Sequence, residues 1–231
     1  MRNNDIDDIL GRAAQAPEPV DPAVLARVTT SIGASLKAVR PLPSRWILAG
    51  VFIVLAAAAG IGTAVVLGTG GWDRLSVMEA VVIFSALAVL LCVVGAVCVS
   101  QIVPGSRWHA APALPLVAGA IALSAIFAVL FRDYATPHFI ASGYPCLRQG
   151  LEVALPTGLV LWLLLRRGFA VHPAGAGLAA GTLAGLAGLT MLEMHCAYFS
   201  APHVVVWHVG VIPIAAAAGG AIGWAIGHFR R

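Results

Sequence analysis

Apolar residues along this chain gather into six long runs, near 46–68, 78–102, 111–131, 147–165, 173–194 and 204–228, with the charged and turn-forming residues collected between them. Each run has about the length needed to carry an α-helix across some 30 Å of hydrocarbon at 1.5 Å per residue. The fourth is the shortest and holds Pro156, and the sixth holds Pro213. Proline inside a span is tolerated where neighbouring groups satisfy the carbonyls it frees. A set of buried helices in a water-soluble protein would need polar outer faces and longer connections, and the runs have neither. The pattern therefore predicts an all-α membrane protein, with a six-transmembrane-helix bundle over 46–231.

Residues 1–45 read differently, as a short cytoplasmic amphipathic helical segment. A first helix is expected from about Asn4 to Ala14, with Ile6, Ile9, Leu10 and Ala13 on one face. Asn4 is its cap, and Asp5, Asp7 and Asp8 suit the positive end of the helix dipole. Pro17 and Pro19 end it. Asp21 followed by Pro22 then reads as a cap with proline in the first turn of a second helix. Leu25, Val28, Ile32 and Leu36 form an apolar stripe along this second helix, the candidate partner-binding face. The first 44 residues contain no apolar signal-peptide core, so the first span is expected to act as an uncleaved anchor.

Composition agrees with the pattern. Of the 231 residues 60% are hydrophobic and only 10% charged, with mean hydropathy +0.92, whereas soluble domains carry about a quarter charged residues. Charge adds an orientation. With the N-terminus in the cytoplasm, the inner side holds Arg2, Arg12, Arg27, Lys37, Arg40, Arg45, Arg107, Arg166, Arg167, Arg230 and Arg231, and the outer side Arg74, Arg132 and Arg148. That divides the 14 basic residues 11 to 3 and places both termini inside. Basic residues do not cluster with aromatics, which argues against direct nucleic-acid binding.

Small residues recur at helical spacing in the last two spans. Gly177, Gly181 and Gly185 repeat every fourth position, as do Gly219, Gly223 and Gly227, a spacing that lets helix backbones approach closely in lipid. Packing within one chain is one reading, a homodimer contact the other. Gly175 and Gly177 match a dinucleotide fingerprint only by chance, since no strand precedes them.

Candidate chemistry lies on the outer side. Cys146 stands at the outer end of the fourth span, and Cys196 just past the outer end of the fifth, beside His195. His138 and His203 lie in the same outer region. In this topology both cysteines face the side where disulfides persist. They are separate inert thiols, a redox pair, or thiolates that share a soft metal with His195. Cys92 and Cys98 read as small core residues of the second span. Glu152 lies four residues after Arg148, a spacing that pairs them on a helix. Glu193, near the boundary, is expected to reach headgroups or water. His208 and His228 read as interfacial or packed. An intramembrane carboxylate is otherwise a transport candidate. No catalytic motif is present, so the chain reads as no enzyme, and nothing calls for a cofactor.

Residues 146–150 (Cys146, Leu147, Arg148, Gln149, Gly150), the turn at Arg166, Arg167 and Gly168, the glycine-rich fifth span and its ending at Met194, His195 and Cys196 together resemble the NrsF family. Members are six-span bacterial inner-membrane proteins described as negative regulators of an extracytoplasmic-function sigma factor. The resemblance implies that a short cytoplasmic N-terminal segment holds the sigma factor at the membrane. It also implies that cysteines matching Cys146 and Cys196 help to release it under metal or oxidative stress. The basic, proline-containing run 37–43 resembles the stretch before the family's first span, while the two-helix N-terminus is longer than the family's usual form. The chain thus reads as a membrane-bound anti-sigma factor in the lipid bilayer. The alternative is a small transporter or channel-like protein using Glu152 and Glu193.

Overall fold

The computed structural model describes residues 11, 21–35, 43–102, 111–165 and 172–229. The chain divides into two units, residues 1–41 and 42–231.

The first unit contains helix α1, Pro22–Ser35. Asp21 starts it as a cap: its Oδ1 accepts the N–H of Ala23 at 2.8 Å, and its backbone oxygen accepts from Val24 and Leu25. Pro22 fits the first turn because its missing N–H would have had no partner there. Leu25, Val28 and Ile32 are all more than half exposed or close to it, at 57%, 50% and 53%. Leu36 lies outside the described residues, and so does the helix expected at 4–14, apart from Gly11.

The second unit is built from six long helices: α2 (Arg45–Leu67), α3 (Val77–Ser100), α4 (Ala113–Leu130), α5 (Phe139–Leu165), α6 (Pro173–His195) and α7 (Ala201–Phe229). No strand occurs among the described residues. Five of the six are long and apolar enough to cross a membrane. The sixth, α5, has the length, at 27 residues, but its first half holds Pro145, Arg148, Gln149 and Glu152 and is less apolar. It also begins eight residues earlier than the apolar run at 147–165 suggests. The outward faces of the other spans carry large apolar side chains such as Val54, Val66, Val89 and Val129. That much exposed apolar surface requires lipid as its solvent.

Local sequence explains where the helices begin and end. At the start of α3, Ser76 and Glu79 form a reciprocal cap, with Ser76 N–H donating to Glu79 Oε2 at 2.8 Å and Glu79 N–H to Ser76 Oγ at 3.3 Å. Gly68 closes α2 at φ +104°, a conformation that side chains rarely allow.

Helix α6 occupies the centre, buried along nearly its whole length from Ala176 to Glu193. It packs against α7, α5, α2 and α3. Its alanines and glycines make it thin enough for four neighbours to close on it. Gly177 and Gly219 touch reciprocally across the α6–α7 contact. Gly181 lies against Ala215 and Ala216, Gly185 against Ile212, and Gly223 against Pro173 and Ala174. Gly227 differs, since a Cβ there would meet only Pro173, at an ordinary 3.4 Å. Nearby, Gly188 meets the Gly150 carbonyl of α5 and Val211 of α7, and Gly60 of α2 meets Ala187. Cys98 is buried in the core, but Cys92 faces outward and is not the core residue its apolar run suggests. Side chains six apart on a helix stand about 120° apart around its axis, so one can be buried while the other faces out.

Candidate functional site

Three chain segments meet at one end of the bundle. Helix α5 brings Cys146, one residue after Pro145, which leaves the helix ladder open at that turn. The Cys146 thiol lies 3.7 Å from the carbonyl of Ser142, one turn back. The second segment follows α6. Its last residue is His195, and Cys196 leaves the helix in extended backbone, φ −76° and ψ 120°. This change of direction separates the two neighbours. Cys196 turns inward, while His195 Nδ1 bonds the Gly68 carbonyl at 2.8 Å in the α2–α3 connection. Gly71 of that connection rests on the backbone of Glu193 and Cys196, with no room for a Cβ.

The third segment opens α7. Its start is tied down by the N–H of Ala201, which donates to the Asp133 carbonyl at 2.8 Å. Residues Val204–His208 then make a π-turn, closed by Val209 N–H donating to the Val204 carbonyl at 3.0 Å. Just beyond, Pro213 supplies no N–H to the Val209 carbonyl, and Ile212 N–H takes it at 3.0 Å instead. The π-turn matters to the site. In a regular α-helix, residues five apart stand about 140° around the axis from each other. Wider i→i+5 winding brings them towards one face. His203 and His208 are five apart, and their rings meet edge to face with centroids 5.0 Å apart.

The four side chains converge. The sulfurs of Cys146 and Cys196, fifty residues apart in sequence, lie 3.6 Å from each other as free thiols. Cys196 Sγ is 3.7 Å from His203 Nε2. One donor atom from each of Cys146, Cys196, His203 and His208 lies within 4.8 Å of every other. The two histidines are buried and the two cysteines half-buried. Two thiols this close share one proton more readily than they lose two. The hydrogen bond from Cys146, with help from His203 and against the opposing effect of burial, pulls the Cys196 thiol well below its ordinary range.

Glu193 completes the cluster from behind. It does not reach headgroups or water: its side chain is fully buried, and its Oε1 lies 2.8 Å from His208 Nδ1. A helix end near a boundary usually lets a carboxylate reach solvent, but here the side chain turns into the bundle against His208. With Nδ1–H donating to a Glu193 carboxylate, Nε2 is left as the nitrogen free to accept a hydrogen bond or bind a ligand. Among the described residues, His208 Nε2, His203 Nδ1 and Glu193 Oε2 are buried with no hydrogen-bond partner.

Neighbouring rings hold the histidines. Tyr198 meets His203 edge to face at 4.9 Å, and Trp207 packs on Phe139 at 5.2 Å with its ring over Gly143. Glu152 stands apart on α5, more than half exposed and bonded to Arg148 Nε at 2.8 Å.

Sequence reasoning singled out Cys146, Cys196 and His195. The structure brings the two sulfurs together and turns His195 away. It adds His203, His208 and Glu193, which that reasoning did not join to the thiols. The available signal was a pair of histidines near one end of the last long helix, but α-helical periodicity sets them on different faces.

No curated protein and no solved structure matches the chain. Residues 25–227 match the family model NrsF, negative regulator of sigma F. With most of its length covered, and with a bundle of membrane-compatible helices around it, this chain belongs to the NrsF family of negative regulators of a sigma factor.

Proposed function

We propose that this protein is an anti-sigma factor of a bacterial inner membrane that sequesters an extracytoplasmic-function sigma factor and releases it on metal or oxidative stress. In this reading all six long helices span the bilayer, α5 included, and both termini are cytoplasmic. Residues 1–45 hold the sigma factor, with Leu25, Val28, Ile32 and Leu36 as the docking face. Cys146 and Cys196 are the outer sensor, and His195 braces the sensing end against the α2–α3 connection.

The observation that carries the reading is the 3.6 Å approach of two free thiols from different helices in a member of a family of negative sigma regulators. Such a pair changes state as a unit, either by closing a disulfide or by gripping one ion. Cys196 follows directly from α6, the helix that touches most of the bundle, so a change there has a packed route along the molecule. The transport alternative draws no comparable support, because Glu152 pairs with Arg148 and Glu193 with His208.

The test is co-elution of the detergent-solubilised chain with candidate sigma factors. Retention is expected for the unmodified chain and loss for the Val28→Asp/Ile32→Asp variant, with membrane insertion intact. Oxidant or a thiophilic metal should release the partner from the unmodified chain but not from Cys146→Ser or Cys196→Ser. Retention by the double Asp variant would refute the docking face. Release from the Cys146→Ser/Cys196→Ser variant would refute the thiol sensor.

A further inference from the structure

The thiol pair does not stand alone, and its surroundings say which ligand it takes. We infer that Cys146, Cys196, His203 and His208 form a closed four-donor site for one borderline or soft divalent cation of the zinc and cadmium class, with Glu193 holding His208 in its binding orientation.

The spacing fits. A tetrahedral ion with sulfur at about 2.3 Å and nitrogen at about 2.05 Å sets its donors about 3.8 Å apart for S···S and about 3.6 Å for S···N. The corresponding separations are 3.6 Å for Cys146 Sγ to Cys196 Sγ and 3.7 Å for Cys196 Sγ to His203 Nε2. All four donors already lie within 4.8 Å of one another, so little rearrangement is needed to close around an ion. The donor set is two sulfurs and two imidazoles. None of the four is an oxygen, which disfavours magnesium and calcium.

The burial pattern points the same way. His208 Nε2 is fully buried with no hydrogen-bond partner among the described residues, a costly arrangement for a polar atom unless something else satisfies it. Its other nitrogen is held by a fully buried carboxylate at 2.8 Å. A carboxylate behind an imidazole is how metal-binding histidines are commonly oriented and made more basic. Binding proceeds without redox change: the ion exchanges its water ligands for the four donors, and the thiol pair gives up to solvent the proton it still holds. Two thiolates then balance a divalent cation, so the ion and its four donors carry no net charge.

Bound metal would tie α5, the end of α6 and the start of α7 into one unit. An oxidant that joined the same two sulfurs would remove both thiolates and compete with the ion. The regulatory consequence rests on the anti-sigma reading, but the site itself rests on the geometry.

The experiment uses the purified full chain in detergent, stripped with a chelator and titrated with Co²⁺ as a spectroscopic probe and with Cd²⁺. One ion per chain is expected, with the intense visible bands of tetrahedral cobalt and an ultraviolet thiolate charge-transfer band sized for two sulfurs. Replacing Cys146 or Cys196 by Ser should reduce that band. His203→Ala and His208→Ala should each weaken binding by about 100-fold or more, and Glu193→Gln by about 10- to 100-fold. Cys92→Ser should bind like the unmodified chain. The spectrum of the unmodified chain reports ligand type and geometry even if a histidine variant does not fold. Octahedral cobalt, no ion uptake, or unchanged affinity in both histidine variants would each overturn the site. Measuring sigma-factor retention on the same samples separates the two readings. An ion that binds without releasing the partner overturns only its regulatory role. Release by oxidant in a chain that takes no ion overturns the site and leaves the anti-sigma reading standing.

Discussion

The glycines of α6 and α7 repeat alike in sequence, yet substituting them should have opposite effects. Consider Gly181→Ala. A Cβ at this position would lie 2.8 Å from Ala216 Cα and 2.9 Å from the Ala215 carbonyl carbon. Ordinary contact begins near 3.4 Å, so the deficit at Ala216 is 3.4 − 2.8, or 0.6 Å. The obstacles are backbone atoms, which cannot rotate away, so α6 and α7 must separate. A gap of 0.5–1 Å forfeits about a quarter to a half of each contact's dispersion energy. In lipid no hydrophobic gain compensates, because packing itself holds the helices together. Overpacking of this kind costs about 1–3 kcal/mol. At Gly227 the nearest atom to an added Cβ is Pro173 Cγ at 3.4 Å. There the greater helix preference of alanine should dominate, stabilising by up to about 1 kcal/mol. The two variants should therefore differ by about 1–4 kcal/mol. Reversible denaturation in mixed detergent micelles, followed by circular dichroism, measures the difference. Equal stability of Gly181→Ala and Gly227→Ala, or a less stable Gly227→Ala, would refute the packing argument.

Mild catalysed oxidation should close a disulfide between Cys146 and Cys196 within one chain, because the sulfurs need to approach only from 3.6 Å to about 2.05 Å. Peptide mapping should find Cys92 and Cys98 still free, and a link joining two chains would contradict the geometry. Gly143→Leu should destabilise the chain by about 1–3 kcal/mol and weaken Co²⁺ uptake, since Trp207 lies directly over Gly143 and its neighbour is His208. Unchanged melting and uptake would show that this seat does not position the histidine. Reporter fusions at Gly71, Ser142 and Pro202 should give outer-side signals, and fusions at Ser106 and Gly168 inner-side ones. An inner-side signal from Pro202 would overturn the orientation and place both thiols on the wrong side for an external signal.

Much of the architecture was legible because lipid imposes a simple rule. Every spanning backbone must satisfy its own hydrogen bonds, so helices are the answer and apolar run length marks them. The runs at 46–68, 78–102 and 111–131 correspond closely to α2, α3 and α4, and Asp21-Pro22 marks the start of α1. The beginning of α5 was less legible, since polar and proline residues at 139–146 interrupt hydropathy without interrupting the helix. Hydropathy also put Glu193 near water, although its side chain is buried against His208.

The helical class, the boundaries of most helices, the small-residue character of α6 and the thiols near its end all follow from local composition and periodicity. Which polar groups meet depends instead on how the helices pack. Cys146 and Cys196 approach because α5 and α6 cross closely where Gly150 faces Gly188. His195 leaves the cluster because the chain turns at Cys196. His203 and His208 enter it because a π-turn resets a phase that 3.6-residue periodicity would place elsewhere. Side-chain convergence depends on helix crossing and winding, and neither is a property of any single stretch of sequence.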